Sequence, residues 1–485
     1  MAGVSAVRRL PVVKDLTLVT AGAMTANVAG YLLQLLASRW LGVSGYSGFA
    51  SLLAVQMLCA VPALALQNVV AREVVRGAPV HAARALTLRC AGLVAAAALL
   101  LIPAVALGLK VSVIASAGAL CSAPMLVVLA GEQGIQQGRS KFRELATVLG
   151  GAAVLRVLPA VVVLACGSGT APTLWAAAAG TTLAAVIARK VSDAAVPVRT
   201  SGVPGPGTAD RPTPRADNED SVALGGDATD SVTPGGDAHG MATGTVAADG
   251  VVPGTVAAAA VSAVGGGWGA SSGVGWGLGV AAVFRAVQVQ AALTALSQAD
   301  LLIARMVLDE NDAGRYALGA IATKIAFWLP QAVGVVLYPR MAQPQHSARA
   351  MRSALAVLVG IGGVTVAGAA IAAPLAPLFA GRDYAPIEGL LWLFALEGAL
   401  LAVLQAALLS AIATDRTAPA AITWIGLGAG VAAMLTCAHS VLSLIVVATA
   451  TAAATTLVII GVAWRAARDG ADRPSPVPDL GAGGT

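Results

Sequence analysis

Apolar residues run along this chain in long blocks separated by short polar stretches. The blocks fall at about 16–36, 48–70, 91–109, 111–131, 145–166 and 171–188, then, after a break, at 280–303, 316–338, 354–379, 387–411, 418–436 and 441–463. A helix needs about 20 residues to cross a hydrocarbon core roughly 30 Å thick, and blocks of this size meet that demand. The pattern predicts an all-α integral membrane protein with about 12 transmembrane helices in two six-helix bundles. Prolines inside the blocks (Pro62, Pro103, Pro124, Pro159, Pro330, Pro374) predict kinks or hinges.

The break between the two sets of blocks has another character. Residues from about 192 to 275 are rich in Gly, Pro, Ser, Thr and Asp, repeat short runs such as GGDA and GTVAA, and hold almost no large apolar side chains. Such a segment cannot bury enough surface to offset its ordering entropy, so it reads as a disordered linker. The expected organisation is a bundle over 1–190, a linker over 191–275, a second bundle over 276–465 and a tail over 466–485.

The halves also echo each other. Arg39 is followed by Gly48, Phe49-Ala50, Pro62 and Arg72, and Arg305 by Gly314, Tyr316-Ala317, Pro330 and Arg340, at nearly the same spacings. Both copies run in the same direction, which predicts parallel repeats about an axis along the membrane normal and a site between the halves.

Composition agrees with a lipid environment: 57% of residues are apolar and 11% charged, against roughly 25% charged in soluble domains. The net charge of +6 is not a nucleic-acid footprint, because it alternates between loops. Twenty-two basic residues fall in one set of loops and four (Arg39, Lys110, Arg315, Arg382) in the other. The positive-inside rule then puts both termini and the linker in the cytoplasm. With the native cysteines removed, Ser231→Cys is expected to resist a membrane-impermeant thiol reagent in intact cells and to react after lysis. Labelling before lysis would reverse the orientation. The first block is too long for a signal-peptide core and no A-x-A-like site follows it, so the first helix is expected to be retained. Abundant Ala and a fivefold excess of Arg over Lys point to a GC-rich bacterial genome.

Enzymatic and ATP-driven chemistry finds no foothold. No lysine follows a glycine, as a P-loop requires, and no histidine begins an H-E-x-x-H zinc motif. The G-x-S-x-G match at Gly269–Gly273 sits in the glycine-rich linker without strand and helix around it. Cys59, Cys90, Cys121, Cys166 and Cys437 all lie in apolar blocks, without the spacing of a metal or disulfide site. The longest external loop is expected near Leu308–Arg315, with Asp309, Glu310 and Asp312 in a solvated turn.

Charged groups within the blocks are the candidate functional residues, since charge in a bilayer normally faces a cavity or a partner. Arg156 lies near the middle of the fifth block and Lys324 in the eighth. Arg285, Gln288, Gln290, Gln298 and Asp300 lie along the seventh, and Glu397 in the tenth. Two readings stay open for the cations: a hydrated cavity holding an anionic headgroup, or stitches between helices. Arg285 also reads as snorkelling to the headgroups. Asp300 and Glu397 read as carriers of a coupling proton or sodium, or as counter-ions to the basic groups.

Four runs carry a resemblance: ASRWLGVSGYSGFASLL, LAGEQGIQQGRSKFRELATVLGGAAVLRVLPAVVVL, ADLLIARMVLDENDAGRYALGAIATKIAFWLPQAVGVVLYPRMA and LFAGRDYAPIEGLLWLFALEGALLAVLQAALLSAIATDR. Together they resemble the polysaccharide-flippase branch of the multidrug/oligosaccharidyl-lipid/polysaccharide (MOP) exporter superfamily. The resemblance implies a MATE-like pair of bundles around a cavity that opens to each side in turn, in a bacterial cytoplasmic membrane. It implies a polyprenyl-pyrophosphate-linked oligosaccharide as substrate, with membrane lipids and polysaccharide-assembly proteins as partners, and no nucleic acid. It implies no cofactor beyond a coupling proton or sodium, and a pyrophosphate site that includes Arg156 and Lys324, with Asp300 as the acidic residue of the seventh helix. The first helix, with Thr25, Asn27 and Gln34 among its polar residues, lacks the charge expected of a cation-coupled drug antiporter or a lipid II flippase, which puts both behind the saccharide reading.

Overall fold

A computed structural model describes residues 9–194, 280–341, 347–412 and 418–471. The first half holds α1 (Arg9–Trp40), α2 (Gly42–Val75), α3 (Val80–Gly108), α4 (Val113–Gly138), α5 (Phe142–Ala165) and α6 (Thr170–Ala194). The second holds α7 (Val280–Val307), α8 (Glu310–Met341), α9 (Ser347–Ala372), a short α10 (Leu375–Ala380), a 3-10 segment (Arg382–Leu390), α11 (Leu391–Ile412), α12 (Ala418–Cys437) and α13 (Val441–Ala471). The residues read as linker from 195 to 275 and as tail from 472 lie outside the described residues. Residues 191–194 and 466–471 continue α6 and α13.

The two halves repeat one packing scheme. In the first, α1 packs on α5, α2 and α3 on α4, and α6 on α4 and α5. In the second, α7 packs on α12, α8 and α9 on α11, and α13 on α11 and α12. The same six-helix bundle is thus built twice, related by a pseudo-two-fold axis along the helices, and α2 joins the halves by packing on α7 and α8.

Hydrocarbon explains the surface. The membrane-length window of α2 is 83% buried, whereas that of α3 is 22% buried and shows Leu100 and Leu107 at 78% and 81% exposure. Large apolar side chains at that exposure suit a helix whose solvent is lipid. Among the described residues seven segments are long and apolar enough to cross a membrane, and Ala356–Ala372 and Ala421–Cys437 are shorter apolar helices. Small residues set the helix spacing, as expected where lipid tails compete with side chains for apolar contact. Gly426 and Gly430 of α12, for example, lie against Thr455 and Thr451 of α13.

The structure corrects the connections. The chain between α7 and α8 is only Leu308–Asp309, because Asp309 Oδ1 accepts from the Asp312 amide (2.7 Å) and starts α8 at once. The longer connection on that side runs from α9 to α11. Pro374 lies at the break between α9 and α10 rather than inside a helix, and Gly381 (φ 119°) ends α10.

One buried apolar cluster gathers the α1–α2, α3–α4, α5–α6, α7–α8, α9–α11 and α12–α13 connections at one end of the molecule. It includes Val43, Ala115, Leu164, Leu174, Ile303, Ala317, Ile387, Met434 and Leu444. This is the distal end, opposite the start of α1 and the end of α13.

Candidate functional site

Two buried polar groups lie inside the bundles. In the first half, Arg156 is 6% exposed, about nine residues or ~14 Å from the distal end of α5 at 1.5 Å per residue. Its Nη2 donates to Gln56 Oε1 on α2 (2.8 Å), and Gln56 Nε2 donates in turn to Ser122 Oγ on α4. The cation is therefore tied into three helices of its own bundle. Close packing fixes its place: Gly180 of α6 lies against the backbone of Leu155 and Arg156, where no Cβ would fit.

The second group spans α7, α8 and α11. Asp300 is buried and its Oδ2 accepts from the Tyr316 hydroxyl (2.8 Å). Each residue lies eight positions from Leu308, so the tight α7–α8 hairpin brings them face to face. Lys324, two turns beyond Tyr316, is also buried and interacts electrostatically with Asp300. Glu397 on α11 feels Asp300 as well, and its Oε2 accepts from Thr323 Oγ1 (3.3 Å). Gly398 lies on the Thr323 backbone and holds α11 tightly against α8. Of the residues singled out in sequence, Asp300, Lys324 and Glu397 come together here, and Arg156 belongs to the other bundle.

The remaining candidates occupy α7. Gln298 is buried and its Nε2 reaches Met57 Sδ on α2 (3.4 Å), which links the halves one residue from Gln56. Gln290 Nε2 donates to Thr294 Oγ1 (3.4 Å), Gln288 is exposed, and Arg285 lies on α7 with its side chain outside the described set.

Sequence reasoning missed an acidic residue. Glu132 on α4 is buried and accepts from Arg84 Nε and Nη2 (2.8 and 3.1 Å), and Arg84 also pairs with Asp193 of α6 (2.7 Å). The signal was available, because Glu132 directly follows the fourth apolar block. Arg84, counted as a loop charge, instead clips α3 to α4 and α6. Among the described residues no group of three or more His, Cys, Asp or Glu side chains could hold a metal ion.

No protein-family model and no curated protein matches the chain in sequence. Solved structures do match. One is an inward-facing conformation of a multidrug resistance MATE family transporter of the MOP superfamily, at TM-score 0.60 and 10% identity, covering 93% of this chain and 96% of that one. A variant of the Vibrio cholerae MATE transporter VcmN gives TM-score 0.56 at 14% identity over 94% and 97% of the two chains. The eukaryotic MATE transporter AtDTX14 gives 0.51 at 13% over 95% and 99%. Likeness over nearly whole chains at this identity establishes the fold: the chain has the paired six-helix architecture of the MATE transporters of the MOP superfamily.

Proposed function

We propose that this protein moves a polyprenyl-pyrophosphate-linked oligosaccharide across the bacterial cytoplasmic membrane by alternating access, in the synthesis of a cell-surface polysaccharide. The observation that supports this reading is a buried cation well inside a helix in each half, Arg156 on α5 and Lys324 on α8, apart from Arg305 at the end of α7, within an exporter fold. Guanidinium and ammonium groups away from bulk water suit a pyrophosphate, to which they donate charge-assisted hydrogen bonds. Arg285, Gln288 and Gln298, all residues of α7, would contact the headgroup on its way from the terminal end. Asp300 and Glu397 would carry the coupling proton or sodium, or balance Lys324. Both termini would lie in the cytoplasm.

The buried carboxylates favour a second reading, a cation-coupled antiporter of small molecules, for which the same fold serves. A lipid II flippase is a third. Deleting the gene separates the readings. The proposal expects a polyprenyl-pyrophosphate-linked glycan to accumulate on the cytoplasmic face. Unchanged lipid-linked glycans together with higher retention of a cationic dye would favour the antiporter, and accumulation of lipid II the third reading.

A further inference from the structure

Hydrogen bonds between the halves gather at the distal end among the described residues, apart from Gln298 to Met57 at mid-helix. Arg305 in the last turn of α7 is the centre of them. It is 5% exposed, and it donates from Nε to the Leu109 carbonyl (2.9 Å), from Nη1 to Ser47 Oγ (3.0 Å), and from Nη2 to the Lys110 carbonyl (3.1 Å) and Glu310 Oε1 (2.9 Å).

Leu109 and Lys110 end α3 in the other half. The Val111 amide returns to Ala106 O (3.0 Å) and Lys110 takes φ 52°, so the helix closes in a Schellman-type turn with lysine in the position usually held by glycine. Helix ends leave carbonyls without partners, and a cation there also meets the negative end of the helix dipole. An arginine of the second half thus caps a helix of the first.

Arg39, the repeat mate of Arg305, does the reverse. From the last turn of α1 its Nη1 donates to the Leu378 and Phe379 carbonyls (3.4 and 3.2 Å) in α10 of the second half. Tyr384 adds a bond from its hydroxyl to the Ser38 carbonyl (3.2 Å), and Gly314 at the start of α8 lies directly on the Val43 carbonyl of α2.

We propose that Arg305 and Arg39 are a reciprocal latch that holds the distal gate shut, each half capping a helix end of the other. Arg305 carries most of the hold, since its site is buried. Arg39 is exposed with longer bonds, and water can replace it. Resting on the alternating-access reading, each opening of the distal end breaks both caps and leaves the bundles themselves intact.

The test uses cysteine-free protein in nanodiscs and an impermeant maleimide, with one reporter per protein: Ala50→Cys in the buried distal cluster, or Gln288→Cys, exposed on the terminal half of α7. Arg305→Ala is expected to speed labelling at Ala50→Cys about tenfold or more and to slow it at Gln288→Cys, as a shifted two-state equilibrium requires. Arg39→Ala should act in the same direction with a smaller factor. Arg305→Lys should fall between, since it keeps charge without the fork. Arg39→Ala, at an exposed site, serves as the readout should Arg305→Ala not accumulate. Unchanged labelling at Ala50→Cys, or faster labelling at both reporters, overturns the latch. A rise at Ala50→Cys with unchanged labelling at Gln288→Cys upholds it and overturns alternation instead.

Discussion

Replacing Gly180 or Gly398 by alanine is expected to remove most of the folded protein, whereas the same change at Gly151 or Gly428 should leave its amount unchanged or raise it. All four glycines are helical. A Cβ at Gly180 would fall on the Leu155 carbonyl, and one at Gly398 on the Thr323 carbonyl, both backbone atoms that cannot rotate away. Helix pairs α5–α6 and α8–α11 would have to separate, at or beyond the ~1–3 kcal/mol typical of overpacked cores. At Gly151 and Gly428 nothing lies within 4 Å of the added carbon. There alanine gains up to about 1 kcal/mol of helix propensity over glycine. Monodisperse yield in mild detergent, compared across the four variants, decides the matter. Equal yields would mean that close helix approach does not set the stability of the bundles. Both tight glycines adjoin candidate site residues, Arg156 across the α5–α6 contact and Glu397 next to Gly398, so the packing that holds the bundles also places the charges.

The architecture was legible because lipid makes the hydrophobic signal long and unambiguous. Twelve apolar blocks became the twelve long helices, and the sequence echo from Arg39 and Arg305 marks helix ends that hold equivalent places in the two halves. Connections were less legible. Apolar content alone carried the ninth block through Pro374, while backbone chemistry ends α9 at Ala372 and inserts α10 and the 3-10 segment. Pairing between helices was the least legible. Nothing in one-dimensional spacing joins Gln56 to Arg156 or Thr323 to Glu397, which meet only once the bundle is assembled. Asp300 and Tyr316 are the exception, since symmetric placement about a two-residue hairpin brings them together. Arg305 shows the same limit from another side: its position in the echo was plain, but its partners at Leu109 and Lys110 lie in the other half.

Arg156 and Lys324 are expected to part company when each is replaced by alanine, because their surroundings differ. Arg156 is anchored on a neutral carboxamide, and Gln56 keeps its bond to Ser122 when the guanidinium goes. Arg156→Ala should therefore accumulate near normally while export falls steeply, with Arg156→Lys restoring part of it, since the charge returns without the bidentate fork. Lys324 interacts electrostatically with the buried carboxyl of Asp300. Without its ammonium, Asp300 loses that partner and keeps Glu397 as a buried acidic neighbour, and losing one partner of a buried charge group costs up to about 3–5 kcal/mol. Lys324→Ala should lower protein level and export together, and Asp300→Asn added to it should restore the level but not the export. Protein amount and surface polysaccharide, measured in the same cells, separate these outcomes. A fall in level with Arg156→Ala would make Arg156 a structural stitch. Normal export by the Arg156→Ala, Lys324→Ala, Asp300→Asn protein would sink the cationic-cavity mechanism, because neither half would then offer a buried cation at these positions to the pyrophosphate.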